Sequence, residues 1–218
     1  MAATSKRVTV ASSDVALPGE LTIPDDPSGL VLFAHGSGSS RRSPRNQAVA
    51  ARLNAAGFCT LLFDLLTADE ERLDARTGEV RFDIPLLARR LTLAVDWLEA
   101  SAERVSQLPF GLFGASTGAA AALATAGARP GRVRAVVSRG GRPDLAGPLP
   151  AGLRAPVLLI VGGADTQVLA LNEAILGDLP DGSDLVVIPG AGHLFAEPGA
   201  IDQVAALAAG WFTRHVGG

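Results

Sequence analysis

Three residue types in this 218-residue chain could together carry out acyl transfer: one serine, one aspartate and one histidine, each just after an apolar run. Ser116 lies in Gly114-Ala115-Ser116-Thr117-Gly118, a Gly-x-Ser-x-Gly pattern behind "PFGLF" and ahead of a small-residue helical stretch. A serine in a sharp strand-to-helix turn needs small neighbours two residues away on either side, and glycine is the smallest. Such a turn exposes the hydroxyl and aims the positive end of the following helix at the reacting group. The pattern also fits a mere packing turn in a Gly- and Ala-rich chain, so it does not decide the question alone. A serine hydroxyl is a weak nucleophile at neutral pH and needs a base.

The chain has three histidines. His215 falls in the last helical stretch, and His35 ends the third apolar run, where its expected role is to shape the loop "HGSGSS" by hydrogen bonding. His193, in "GAGHLF", follows both Ser116 and the last apolar run and has glycines that let it turn, so it is the expected base. Asp165 directly follows "VLLIVGGA" and is the expected acid that orients His193. Its bland alternative is to cap the helix beginning near Thr166. Asp144, after "VVSRGGRP", is the rival acid. The order Ser116, Asp165, His193 is the one expected for an α/β-hydrolase. The Thr117 amide is the first expected oxyanion donor. The loop after the third apolar run supplies the second, with the Ser37 amide the choice and Gly36 the alternative; the glycines there let the backbone approach a substrate.

These residues need a scaffold that brings strand ends together. "RVTVA" and "GELTIP" read as an opening antiparallel pair. "GLVLFAHG", "FCTLLFDL", "PFGLFGA", "VRAVVS", "PVLLIVGG" and "DLVVIPG" are near-continuous apolar runs, as strands buried on both faces require. Helical patterns span about 44–56, 85–105, 117–126, 166–179 and 200–216, with a loop expected over 65–84. The alternation predicts an α/β fold: a mostly parallel, doubly wound sheet flanked by helices, one domain over 1–218. In such a sheet the ligand site lies beyond the carboxyl ends of the strands. Too few residues separate Ser138 from the strand near Pro156 for a cap domain, so a lidless cleft is expected.

Composition narrows the function classes. Net charge is -3, which offers no nucleic-acid face. Lys6 is the only lysine, which argues against Schiff-base chemistry, and Cys59 is the only cysteine, so no internal disulfide or thiolate-rich metal site is available. The expectation is a chain with no metal and no organic cofactor. "MAATSKRVTV" lacks a signal-peptide core, and a cytoplasmic location is expected. The uncharged stretch 109–128 contains a GxxxG but reads as a buried strand–turn–helix, with no membrane partner. Arg139 at a strand end, and Arg41, Arg42 and Arg45 beyond the oxyanion loop, are candidates to bind a substrate carboxylate or phosphate; ordinary ion pairing is the alternative. Asp64 is expected to hold a loop.

The segments "FAHGSGSSRRSPRN", "LFDLLT", "GLFGASTGAAAAL", "VVSRGGRPDLAG", "LLIVGGAD" and "PGAGHLFAEPG" resemble the dienelactone-hydrolase-like branch of the α/β-hydrolases. More closely they are similar to bacterial members sometimes fused to a phosphoribosyltransferase-like domain. The resemblance runs from about Gly29 onward and implies the fold, the triad and hydrolysis of small-molecule esters or lactones. One departure matters: dienelactone hydrolase itself uses a cysteine nucleophile, whereas Ser116 stands in that place and Cys59 is on a different strand. Dienelactone is therefore not the expected substrate. The same triad serves thioesterases and acyltransferases. A non-catalytic binding protein on this fold, and a nucleotide-binding oxidoreductase suggested by "GLFGASTG", are the rivals from other classes.

Overall fold

The computed structural model describes residues 3–101 and 104–217. Among them eight strands form one sheet in the order β1-β2-β4-β3-β5-β6-β7-β8. They are β1 (Ala3–Ala11), β2 (Ala16–Pro24), β3 (Gly29–Ala34), β4 (Phe58–Phe63), β5 (Phe110–Ala115), β6 (Val133–Arg139), β7 (Val157–Gly162) and β8 (Asp184–Ile188). β1 pairs antiparallel with β2, and β2 antiparallel with β4. All other pairs are parallel.

Every residue of β3, β4, β5 and β7 is buried, so their unbroken apolar runs are covered on both faces. The core accordingly forms two layers. One face of the sheet packs on α3 (Ile84–Glu99) and α4 (Thr117–Ala128). The other packs on α1 (Pro44–Ala55) and α6 (Ala200–His215). α5 (Thr166–Leu176) runs beside β7 and β8. The alanines of α4 are buried because a helix of small side chains can lie close to the sheet. That closeness is sharpest at Gly118, where a Cβ would stand 2.2 Å from the Ala34 carbonyl oxygen and 2.6 Å from that of His35. The contact seats the start of α4 against the end of β3.

The chain leaves β3 for β4 on one side and reaches β5 on the other. The crevice of a doubly wound sheet opens at such a reversal, beyond the strand ends. The loops after β3 and β5 meet there.

The segment expected as a loop over 65–84 contains α2 (Ala68–Thr77) and a 3-10 turn, Val80–Phe82. The helix signal was present in "TADEER": Thr67 accepts from the Glu70 amide, and the Glu70 carboxylate accepts from the Thr67 amide, a reciprocal cap. Gly78, left-handed at φ 70°, ends the helix. Residues 85–105 do not form one helix. α3 ends at Glu99, a 3-10 turn follows at Arg104–Gln107, and residues 102 and 103 lie outside the described residues. α5 stops three residues before the expected 179. Between Arg139 and Val157 the only helical element is the 3-10 turn Pro143–Ala146, so no cap domain is inserted there. Among the described residues no helix is long and apolar enough to cross a membrane.

Candidate active site

Ser116 is the residue between β5 and α4 and has φ 50° and ψ −117°. For a serine this left-handed φ is strained, and it persists only where neighbours hold it. They do so through both backbone polar groups. The Ser116 N–H donates to the Arg139 carbonyl at 3.1 Å, and its carbonyl accepts from the Arg142 N–H at 3.2 Å and the Ala119 N–H at 3.1 Å. The flanking glycines are required by space. A Cβ at Gly114 would lie 2.5 Å from the Ala119 Cα, and one at Gly118 would lie 2.2 Å from the Ala34 carbonyl oxygen.

His193 Nδ1 lies 2.6 Å from Asp165 Oδ2, and its Nε2 lies 3.3 Å from Ser116 Oγ. With Nδ1–H donating to the carboxylate, Nε2 is bare and can accept the serine proton. The loops bearing the two partners are tied together. The Gly163 N–H donates to the Ile188 carbonyl and the Ala164 N–H to the Ala191 carbonyl, both at 2.9 Å. The Glu197 carboxylate accepts from the Gly192 amide at 3.0 Å and steadies the turn before His193.

Side-chain capping separates function from fold here. Ser43, Thr67 and Asp83 begin helices and accept hydrogen bonds from backbone amides inside them. Ser116 and Asp165 occupy the same N-cap position of α4 and α5, and neither side chain makes a capping bond. Both are turned to His193 instead.

The loop expected to supply the second oxyanion donor follows β3. Among the described residues the amides of Ser37 and Thr117 have no hydrogen-bond acceptor, so both are free to donate. His35 shapes this loop. Its Nε2 accepts from the Leu65 N–H at 3.0 Å, so the proton sits on Nδ1 and is donated to the Gly36 carbonyl at 3.1 Å. Burial pushes the His35 pKa down, against smaller opposing effects from the Gly36 carbonyl and the Asp64 charge. A buried base with a lowered pKa binds its proton more readily in the unfolded chain. Its stability contribution is whole above the ordinary value of 6.5 and fades as pH falls below it. We therefore expect wild-type unfolding free energy, measured in urea, to drop between pH 7 and 5 with a slope of up to about 1.4 kcal/mol per pH unit from this residue. That part of the slope is absent in His35→Gln; identical slopes in the two proteins would refute the assignment. The comparison separates His35 from His215, whose pKa burial also lowers.

Other candidates are placed elsewhere. Asp144 is held by Arg142 in a two-pronged pair at 2.8 and 2.7 Å, which holds its carboxyl below the usual range. His215 packs on Trp211 in α6. Asp64 accepts from the Arg41 backbone N–H at 2.8 Å and pairs with the Arg41 guanidinium, so Arg41 is a loop anchor. Cys59 is buried in β4, and burial pushes its thiol up to about 11. A cleft of about 610 Å³ is lined by the loop Gly36–Ser40, Thr117, Arg42, Arg45 and, from α2 and the turn after it, Glu71, Asp74 and Arg81. Among the described residues no group of three or more His, Cys, Asp or Glu is placed to hold a metal ion.

Two supports were not read from the sequence. Arg142 braces the serine turn through its backbone, and buried Asn172 in α5 donates to the Gly141 carbonyl at 2.9 Å and the Val168 carbonyl at 2.7 Å. The pair Gly140-Gly141 was the only available signal, since two glycines after a strand mark a close backbone approach.

A family model for the α/β-hydrolase fold matches residues 29–181. The chain is 53% identical to a solved structure of dienelactone hydrolase from Anabaena variabilis, with a TM-score of 0.95 over 98% of this chain and 99% of that one. A serine hydrolase without lid from Xanthomonas campestris is 18% identical, with a TM-score of 0.75 over 96% of this chain and 94% of that one, a likeness of fold alone. A Mycobacterium tuberculosis protein named "Putative phosphoribosyl transferase" is 54% identical over 98% of this chain. The chain spans about half (47%) of the length of that curated relative.

Proposed function

Because this chain belongs to the α/β-hydrolase family, on its dienelactone-hydrolase-like branch, we propose that it cleaves carboxylic esters or lactones of small to medium acyl groups through an acyl-enzyme. Ser116 Oγ attacks the carbonyl carbon as its proton passes to His193 Nε2. The carbonyl oxygen becomes an oxyanion held by the Thr117 and Ser37 amides. Asp165 keeps the proton on Nδ1 and stabilises the imidazolium. The intermediate collapses, and the leaving alkoxide takes the proton from His193. A water then attacks the acyl-enzyme, giving its proton to His193, and the acid departs as Ser116 Oγ is reprotonated. Every step uses groups of this chain and water.

The observation that carries this reading is the Ser116 hydroxyl, held in a strained turn, free of capping duty and 3.3 Å from His193 Nε2. The charged side chains of Arg42, Arg45, Glu71, Asp74 and Arg81 in the cleft wall favour compact acyl groups over long alkyl chains. The test is a panel of esters, lactones and thioesters of varied acyl length, run beside a fluorophosphonate probe. Short esters or lactones are expected to turn over, with the probe attached at Ser116. A protein that turns over thioesters alone would move the reading to a thioesterase. One that neither reacts with the probe nor turns over any substrate would be a binding protein on this fold.

A further inference from the structure

The strained turn at Ser116 is held by a stretch that supplies no triad residue. Residues 139–142 run off the end of β6. The Arg139 carbonyl accepts from the Ser116 N–H at 3.1 Å, and the Arg142 N–H donates to the Ser116 carbonyl at 3.2 Å. Gly140 lies against His193: a Cβ there would stand 3.3 Å from the His193 carbonyl oxygen and 3.5 Å from its Nδ1. The Gly140 N–H donates at 2.8 Å to the carbonyl of Ile160 in β7, the strand that leads to Asp165. The stretch therefore sets Ser116 against His193.

It has little means of holding itself. Gly140 is left-handed at φ 52°, and with Gly141 it leaves the backbone a wide choice of conformations. The Arg142 guanidinium is engaged with Asp144, and the Arg139 guanidinium carbon faces the Phe195 ring at 5.9 Å. The outside hold comes from α5. Asn172 is fully buried, and its Nδ2 donates to the Gly141 carbonyl at 2.9 Å. The same nitrogen donates to the Val168 carbonyl at 2.7 Å, one turn back, which fixes the orientation of the amide. Asp165 stands at the start of this helix, and Asn172 lies seven residues on, on the same face. One helix thus presents a carboxylate to His193 and an amide to Gly141. Asn172 Oδ1 is buried and has no donor among the described residues. An unpaired buried oxygen costs stability that an apolar side chain would not. Stability alone does not account for an asparagine there; the bond to Gly141 does.

Building on the ester-cleaving reading of Ser116, we propose that Asn172 is a positioning residue: its amide clamps Gly141 and, through residues 139–142, keeps Ser116 Oγ and His193 Nε2 at proton-transfer distance. The 3.3 Å gap between those atoms leaves little slack. Neither Asn172 nor residues 139–142 line the cleft, so loss of the clamp loosens the turn without altering the cleft wall. The effect falls on kcat and spares KM.

Kinetics of Asn172→Leu and Asn172→Asp on one short ester test this, with proton NMR of the His193 imidazole N–H as a readout free of turnover. Asn172→Leu removes the donor and keeps the site filled. Its kcat is expected to fall roughly thirty- to a hundredfold, with KM within about threefold of wild type. The resonance of Nδ1–H, hydrogen-bonded to Asp165, is expected to shift or to broaden through exchange with water. Asn172→Asp can donate only while protonated, a form that burial favours. Its kcat relative to wild type is expected to rise by roughly fivefold or more from about pH 9 to about pH 6, as the bond to the Gly141 carbonyl is regained. A kcat for Asn172→Leu within about threefold of wild type, or an unmoved His193 resonance, overturns the clamp and leaves the ester panel to decide the reading of Ser116. If wild type turns over no ester yet the resonance moves in Asn172→Leu, the clamp stands and the ester reading falls. If Asn172→Leu does not fold, Asn172→Asp decides: a pH dependence of kcat and of the resonance identical with wild type overturns the clamp.

Discussion

Ser116→Ala is expected to lower ester turnover by at least about ten-thousand-fold while the protein stays folded. The loss is that large because the remaining groups have no atom to carry the acyl chain; only binding and oxyanion stabilisation persist, and in triad enzymes removing the nucleophile costs roughly as much as removing the triad. Turnover of the ester panel within tenfold of wild type would end the assignment of Ser116. Ser116→Gly separates chemistry from strain. It removes the same hydroxyl, and it also relaxes φ 50°, which costs a serine about 1–3 kcal/mol. The extra flexibility of glycine in the unfolded chain offsets about 0.5–1 kcal/mol of that gain. The expected result is an inactive protein that unfolds at a higher temperature than Ser116→Ala, by roughly 2–4 °C for a net gain of about 1 kcal/mol. An equal or lower unfolding temperature for the glycine variant would mean that the turn stores no strain.

Asp165→Asn is expected to reduce kcat by about a thousand- to ten-thousand-fold. The amide is nearly the same size, so the fold survives, but it brings no negative charge to stabilise an imidazolium. It can also donate to Nδ1, which places the imidazole proton on the nitrogen that should accept from Ser116. The 2.6 Å contact between Asp165 and His193 makes this the most direct electrostatic support of the base. Asp144→Asn is the control. Asp144 is engaged with Arg142, and its replacement should change kcat by less than about threefold. Steady-state kinetics on one ester decides between the two carboxylates. A large loss in the Asp144 variant with a small one in the Asp165 variant would reverse the assignment.

Much of the fold was legible because the signals are local. Short unbroken apolar runs bounded by turn residues read as strands covered on both faces, and β3, β4, β5 and β7 are. The capping box at Thr67 and Glu70 was equally local, but the polar helix that it starts buries only Asp74, so hydrophobic periodicity did not reveal it. Boundaries were read less well than elements. α3 ends at Glu99, where no glycine or proline marks the stop.

By itself the sequence determined the residue types, their order and the turns that hold them: a serine between glycines, then an aspartate, then a histidine, each after a strand. Only the tertiary structure decided that these residues meet. Ser116 and His193 are 77 positions apart, and Asp165 and His193 are 28 apart. They converge because parallel strands place all their carboxyl ends on one edge of the sheet. The structure alone also decided what each polar group spends its hydrogen bonds on. A serine or aspartate at a helix start reads as a cap in any sequence, and Ser116 and Asp165 occupy cap positions without capping. Arg139 stands out in the sequence only by its strand-end position, and the sheet alone decides that it is buried with guanidinium N–H groups that meet no acceptor. The physical reason is common to all three cases. Backbone conformation follows from near neighbours in the chain, whereas the partner of a buried polar group is set by strand order and packing.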